Sequence, residues 1–254
     1  MEAANLDVKL AGCSRWNIIF FPKNALVEYN YTMEKQPIQV YPSILSGDFG
    51  NLAEEAKRLE ASGADGIHID IMDGLFVRNL TLGPKAVSAI RKATDLFLDV
   101  HLMIYNPEDY IESFVAAGAD RITFHIEATE NVQHTIDFIH KCGKKAGLAL
   151  RPETSFSIIP KYLGQCDLIL LMTVNPGFGG QKFMPEMIDK IMLTRENCDR
   201  LSLKTKIQVD GGINDQTALE CIEAGADVLV SGDYLFSQTN MAKAIASMKA
   251  LGLK

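Results

Sequence analysis

The chain has 254 residues, with 25 Lys and Arg against 32 Asp and Glu, a formal charge of −7, and 47% hydrophobic and 22% charged residues. An apolar fraction of that size excludes a disordered chain, and an acidic balance with no run of Lys and Arg disfavours a nucleic-acid binder. The length admits two small domains or one large α/β barrel, so the pattern along the chain has to decide.

Residues 1–36 contain one Gly and sustain neither a helical nor a strand period. Their acids (Glu2, Asp7, Glu28, Glu34) and bases (Lys9, Arg15, Lys23, Lys35) cancel. They read as an N-terminal extension with no assigned role, and a start at Met33 would account for them. The run Ile18-Ile19-Phe20-Phe21 stops at Pro22, too short to span a membrane and without the flanks of a signal peptide. Cys13, Cys142, Cys166, Cys198 and Cys221 are widely spaced and form no Cys-x-x-Cys pair. Free thiols in a reducing compartment are expected, and with them a cytoplasmic protein with no membrane partner.

From Pro37 the chain alternates β-rich and helical runs, so residues 37–254 are predicted to form one domain. Strands are predicted to begin near Ile38, Gly66, Leu96, Arg121, Ala146, Asp167, Lys206 and Asp227. Eight such units predict an α/β fold, a single (β/α)8 TIM barrel, over the alternative of a doubly wound open sheet. Gly-Ala-Asp recurs at residues 63–65, 118–120 and 225–227, each time before an apolar strand. The Gly ends a helix in the left-handed conformation, and the Asp is a turn residue at the stability face of the barrel.

Reactive groups of such a barrel belong at the carboxyl ends of its strands. In the second strand, Gly66-Ile67-His68-Ile69-Asp70-Ile71-Met72, alternation puts His68, Asp70 and Met72 on one face. In the third, Asp99, His101 and Met103 share a face, and the seventh ends in Asp210-Gly211-Gly212. His68, Asp70, His101 and Asp210 form a candidate ligand set for one divalent metal ion: Zn, Fe, Mn or Co. A Gly-rich segment at residues 175–181 (Asn-Pro-Gly-Phe-Gly-Gly-Gln), with Gly211-Gly212 and Ser231-Gly232, offers backbone N–H groups to a phosphate. Met72, Met103 and Met172 are read as lining the site. His125 and Glu127, at the end of the fourth strand, are read as a satisfied polar pair in preference to a support behind the ligands, and His134 and His140 as solvated.

Pro42-Ser43-Ile44-Leu45-Ser46, the His68 to Gly74 and Asp99 to Met103 segments, residues 175–181 and Val209-Asp210-Gly211-Gly212-Ile213 together resemble the signature segments of ribulose-phosphate 3-epimerases. The resemblance runs from about Ile38 to Phe236. It implies a cytoplasmic, metal-dependent enzyme of the pentose phosphate pathway, interconverting D-ribulose 5-phosphate and D-xylulose 5-phosphate, and suggests a homo-oligomer. It further implies Asp70 and Asp210 as catalytic acid/base groups and His68, Asp70, His101 and Asp210 as metal ligands. Ser43 and His101 would touch the sugar. Gly177, Phe178, Gly179, Gly180, Gly211, Gly212, Gly232 and Asp233 would receive the phosphate. The chemistry agrees: inverting a carbon next to a carbonyl needs an acid/base group on each face.

Leu75, Arg78 and Asp233 depart from the pattern, where His, Pro and a small polar residue are usual. An Asp aimed at a phosphate would repel it, so its side chain is expected to turn away and leave the backbone N–H to bind. Two rivals remain: an epimerase for a related ketose phosphate such as a hexulose 6-phosphate, and a non-catalytic sugar-phosphate-binding barrel.

Overall fold

Eight short strands carry the predicted alternation in a computed structural model that describes residues 37–253. The extension 1–36, and with it the reading of a start at Met33, lies outside the described residues. The strands are β1 (Gln39–Pro42), β2 (Gly66–Met72), β3 (Phe97–Met103), β4 (Arg121–His125), β5 (Lys145–Leu150), β6 (Leu168–Met172), β7 (Lys206–Asp210) and β8 (Val228–Ser231), each starting within one residue of its predicted place. Parallel ladders join them in the order β1-β8-β7-β6-β5-β4-β3-β2. A single parallel bridge from Ser43 to His68 links the two ends. The result is a nearly closed barrel.

The helices are α1 (Leu52–Ala61), α2 (Pro84–Arg91), α3 (Ile111–Ala117), α4 (Val132–Lys141), α5 (Met187–Arg200), α6 (Asp215–Glu223), α7 (Asp233–Phe236) and α8 (Met241–Leu251). Their distribution departs from strict alternation at two places. Between β5 and β6 the chain makes only a 3-10 turn, Phe156–Lys161, which contains Pro160. Proline has no N–H for a helical ladder and clashes with the preceding turn, which disfavours an α-helix there. After β8 the chain forms two helices.

Side-chain alternation sorts the strands. Ile67, Ile69 and Ile71 of β2, with Leu98, Val100 and Leu102 of β3, join the core beneath the helices, against residues such as Leu59, Ile90 and Phe114. Each fully buried Ile or Leu there stabilises the fold by roughly 1.5–3 kcal/mol. The opposite residues fill the barrel. One side is apolar, with Tyr41, Ala149, Leu168, Leu170, Met172, Val228 and Val230 in a second cluster. The other side is polar: His68, Asp70, Asp99, His101, Arg121, Thr123, His125 and Gln208 are all buried.

The Gly-Ala-Asp repeat does what its position predicts. Gly63, Gly118 and Gly225 have φ of 78°, 103° and 109°. Each Asp then accepts the backbone N–H of a neighbouring strand: Asp65 from Val40 at 2.8 Å, Asp120 from Leu98 at 2.9 Å and Asp227 from Ile207 at 2.7 Å. Asp167 does the same for Ala146 at 2.9 Å without the Gly-Ala prefix. Asp227 also pairs with Arg195 at 2.5 Å. Asp227→Ala strands both donors and is expected to cost about 1–3 kcal/mol in urea unfolding, with kcat unchanged in the folded variant. A loss below about 0.5 kcal/mol, the range of an ordinary surface change, would contradict the stapling role.

Candidate active site

A cavity of about 570 Å³ opens at the carboxyl ends of the strands, lined by Ser43, Asp70, Met72, Met103, Met172 and Asp210 together with the glycine loops after β6, β7 and β8. Adjacent parallel strands in register bring its polar wall together: His68 pairs with Asp99 and Asp70 with His101 across β2 and β3. The His68 Nε2 lies 3.3 Å from Asp70 Oδ1 and 3.7 Å from Asp210 Oδ2. The His101 Nδ1 lies 3.0 Å from Asp70 Oδ1. One donor atom from each of the four residues falls within 4.8 Å of all the others. The sequence-predicted quartet is therefore a physical cluster.

Its electrostatics match a cation site. Burial raises the Asp210 carboxyl, and the charge on Asp70 raises it further, to about 7. Burial acts on Asp70 in the same direction, but His68 and His101 outweigh it and hold that carboxyl well below the usual range. Burial would lower His68, yet Asp70 and Asp99 push its pKa well above the ordinary value. Two carboxylates this close resist ionising together, and a cation among them removes that penalty. Two imidazole nitrogens and two carboxylate oxygens suit a borderline divalent ion. The donor set fits the implied metal.

Each histidine is held from behind. His68 Nδ1 donates to Asp99 Oδ2 at 2.8 Å. Asp99 also receives Arg121 Nε at 2.8 Å and Gln208 Nε2 at 2.8 Å. The Arg121 guanidinium lies over both the Tyr41 and the Phe97 ring, 5.5 and 5.4 Å from their centroids. Sequence reading assigned no role to Arg121 or Gln208, although alternation within β4 and β7 puts them on the faces of His125 and Asp210. His125 and Glu127 do pair, at 3.1 Å, as read from the sequence. His125 also reaches His101. His134 and His140 are exposed on α4, and His140 pairs with Asp167 at 2.9 Å.

The other predicted residues fall around the same mouth. Ser43 Oγ donates to Asp70 Oδ2 at 2.6 Å. Met72, Met103 and Met172 are 4%, 1% and 2% exposed, so their thioethers are packed into the cavity wall beside the acids. Gly212, with φ 66°, lies where a Cβ would stand 2.5 Å from the Phe183 nitrogen, so only Gly lets those two loops meet. Thr217, in the capping box of α6, ties down the same loop by donating to the Gly212 carbonyl at 3.0 Å. Asn79 Nδ2 holds the Gly177 carbonyl at 2.8 Å and anchors the loop after β6 to the loop after β2. Asp73, unassigned in the sequence, organises that second loop by accepting the N–H groups of Leu75, Phe76 and Tyr105 at 2.8, 2.8 and 3.0 Å. Leu75 and Arg78 are exposed on it and touch none of the four donors.

Asp233 overturns an expectation. Its carboxylate turns inward, accepting from Ser46 Oγ and standing 2.6 Å from where a Cβ on Gly180 would be. The Ser46 hydroxyl supplies the donor that the sequence reading did not foresee. Of the cysteines, Cys142, Cys166, Cys198 and Cys221 are free, and Cys13 lies outside the described residues. No helix among the described residues is long and apolar enough to cross a membrane.

Comparison with known proteins agrees with the geometry. Residues 39–236 match the ribulose-phosphate 3 epimerase family. A ribulose-phosphate 3-epimerase of Chlamydia pneumoniae is 52% identical over 213 residues, covering 83% of this chain and 93% of the relative. One of Bacillus subtilis (strain 168) is 49% identical over 213 residues, covering 84% and 98%. Among solved structures, a 3-hexulose-6-phosphate synthase aligns with TM-score 0.61 at 18% identity, covering 85% of this chain and 99% of that one. KGPDC from Streptococcus mutans aligns with TM-score 0.64 at 15% identity, covering 86% and 98%. These two speak for the fold alone.

Proposed function

The chain belongs to the ribulose-phosphate 3-epimerase family and catalyses that isomerisation; from that premise we propose that it interconverts D-ribulose 5-phosphate and D-xylulose 5-phosphate by proton transfer at C3 between Asp70 and Asp210. The observation that carries the reading is the convergence of two buried carboxyl groups and two imidazoles on one cavity. A barrel that only bound a sugar phosphate would need no such pair of acids.

In the reaction the C3–H bond breaks and one aspartate takes the proton, leaving an enediolate across C2 and C3. The other aspartate returns a proton to the opposite face, and the configuration inverts. No redox cofactor is required, because electrons end where they began. A divalent ion held by His68, Asp70, His101 and Asp210 would supply charge stabilisation for the developing oxyanion, worth several kcal/mol. Ser43 keeps the Asp70 carboxylate in one orientation through its 2.6 Å hydrogen bond. Met72, Met103 and Met172 exclude water that would otherwise compete for the proton. The loops containing Gly177, Phe178, Gly179, Gly180, Gly211, Gly212 and Gly232 present backbone N–H groups to the phosphate. In keeping with the resemblance, the reading places the enzyme in the cytoplasm, in the pentose phosphate pathway, and as a homo-oligomer.

Substrate and phosphate site are tested in one assay. The wild type is expected to prefer D-ribulose 5-phosphate over a ketohexose 6-phosphate in kcat/KM by at least ~10-fold. The inward Asp233 carboxylate repels a phosphate by on the order of 1 kcal/mol after screening. Asp233→Ser is therefore expected to lower KM about fivefold while kcat holds. Equal kcat/KM on both sugars would favour the hexulose reading, and an unchanged KM would remove Asp233 from the phosphate site.

A further inference from the structure

The two site histidines present opposite nitrogens. His68 turns Nδ1 to Asp99 and Nε2 to the mouth. His101 turns Nδ1 to the mouth, and its Nε2 faces His125 Nε2 at 3.0 Å. Neutral imidazole carries one N–H and one lone pair, so two facing nitrogens at that distance share a single proton. Two lone pairs would repel and two N–H groups would collide.

Glu127 decides where that proton sits. Its Oε2 lies 3.1 Å from His125 Nδ1, while its Oε1 accepts the Arg151 backbone N–H at 3.0 Å and the Thr154 hydroxyl. A carboxylate accepting those donors is itself an acceptor, so His125 carries its proton on Nδ1 and a lone pair on Nε2. Asp70 Oδ1 at 3.0 Å and His68 Nε2 at 3.3 Å stand before His101 Nδ1, where a cation held by the quartet would take the place of a proton. So His101 holds its own proton on Nε2, and its Nδ1 stays bare at the mouth. Packing prevents a ring flip from evading this. The His125 ring lies 4.9 Å from the Phe76 ring, over which the Arg151 guanidinium sits at 4.1 Å. Both histidines are wholly buried.

We propose that Glu127 and His125 are positioning residues that fix the tautomer of His101 and so make its Nδ1 available as a metal donor. The proposal rests on the metal reading above. In Glu127→Gln the amide can present N–H to His125 Nδ1, which moves the proton of His125 to Nε2. His101 would then carry Nδ1–H, donating to Asp70 and occupying two members of the quartet at once.

The test titrates zinc into the metal-free full chain against a chromophoric chelator, with long-range 15N–1H spectra of the imidazoles. Wild-type His125 is expected as the Nδ1–H tautomer, and Glu127→Gln is expected to raise the zinc Kd roughly 10- to 100-fold. Wild-type His125 protonated on Nε2 overturns the proposal, as does a variant that binds zinc within about twofold of wild type. The wild-type spectrum decides the matter even if the variant does not fold. A wild type that binds no zinc would instead overturn the metal reading, and the metal-free spectrum would still report the tautomer.

Discussion

Asp210→Asn is expected to lower kcat at least ~10²-fold, and Asp70→Asn to do the same. An amide cannot take a proton from carbon, and in a two-base reaction neither aspartate can replace the other because each serves one face. Asp70 carries an added burden, since one oxygen accepts from Ser43 at 2.6 Å and the other lies 3.0 Å from His101 Nδ1. The asparagine amide would turn an N–H toward one of those two neighbours. Asp210 has no such short contact and is the cleaner test. In Asp210→Asn the remaining base should still exchange the C3 proton of one ketose epimer with solvent without converting it to the other. Metal content measured alongside separates a lost base from a lost ligand. Near-wild-type turnover in a fully metallated Asp210→Asn would contradict the two-base assignment.

Removal of the divalent ion is the second large expected effect. Charge stabilisation of several kcal/mol corresponds to a rate loss of at least ~10²-fold. A chelator should therefore reduce epimerisation by that factor, and Zn, Mn, Co or Fe should restore it. His68→Ala should bind the ion weakly and resist restoration. This variant removes the nitrogen that approaches both acids, at 3.3 and 3.7 Å, and takes one donor from Asp99, which keeps Arg121 and Gln208. Full activity after exhaustive chelation, with no metal left by elemental analysis, would contradict the metal reading.

The barrel and the quartet were legible for one reason: alternation in β2 and β3 segregates Ile and Leu from His and Asp. Burial demands that segregation, so it is written into the local sequence. What was missed depends on register and rotamer, which local sequence does not carry. His125 reaches His101 only because β3 and β4 pair His101 with Thr123, which sets His125 one step further toward the mouth. Arg121 and Gln208 meet Asp99 across three different strands. The inward turn of Asp233 depends on Ser46, far away in sequence. The missing helix after β5 did have a local cause in Pro160, and the regular pattern of the other units obscured it.

The central claim is that two aspartates with a divalent ion move a proton at C3. Deuterium incorporation at C3 of D-ribulose 5-phosphate in heavy water, with and without chelator, tests it most directly. The account predicts incorporation at C3 alone, with both epimers labelled, at a rate cut at least ~10²-fold by the chelator and recovered with added metal. Epimerisation without C3 label in the product, or labelling at full rate in the chelated enzyme, would contradict it.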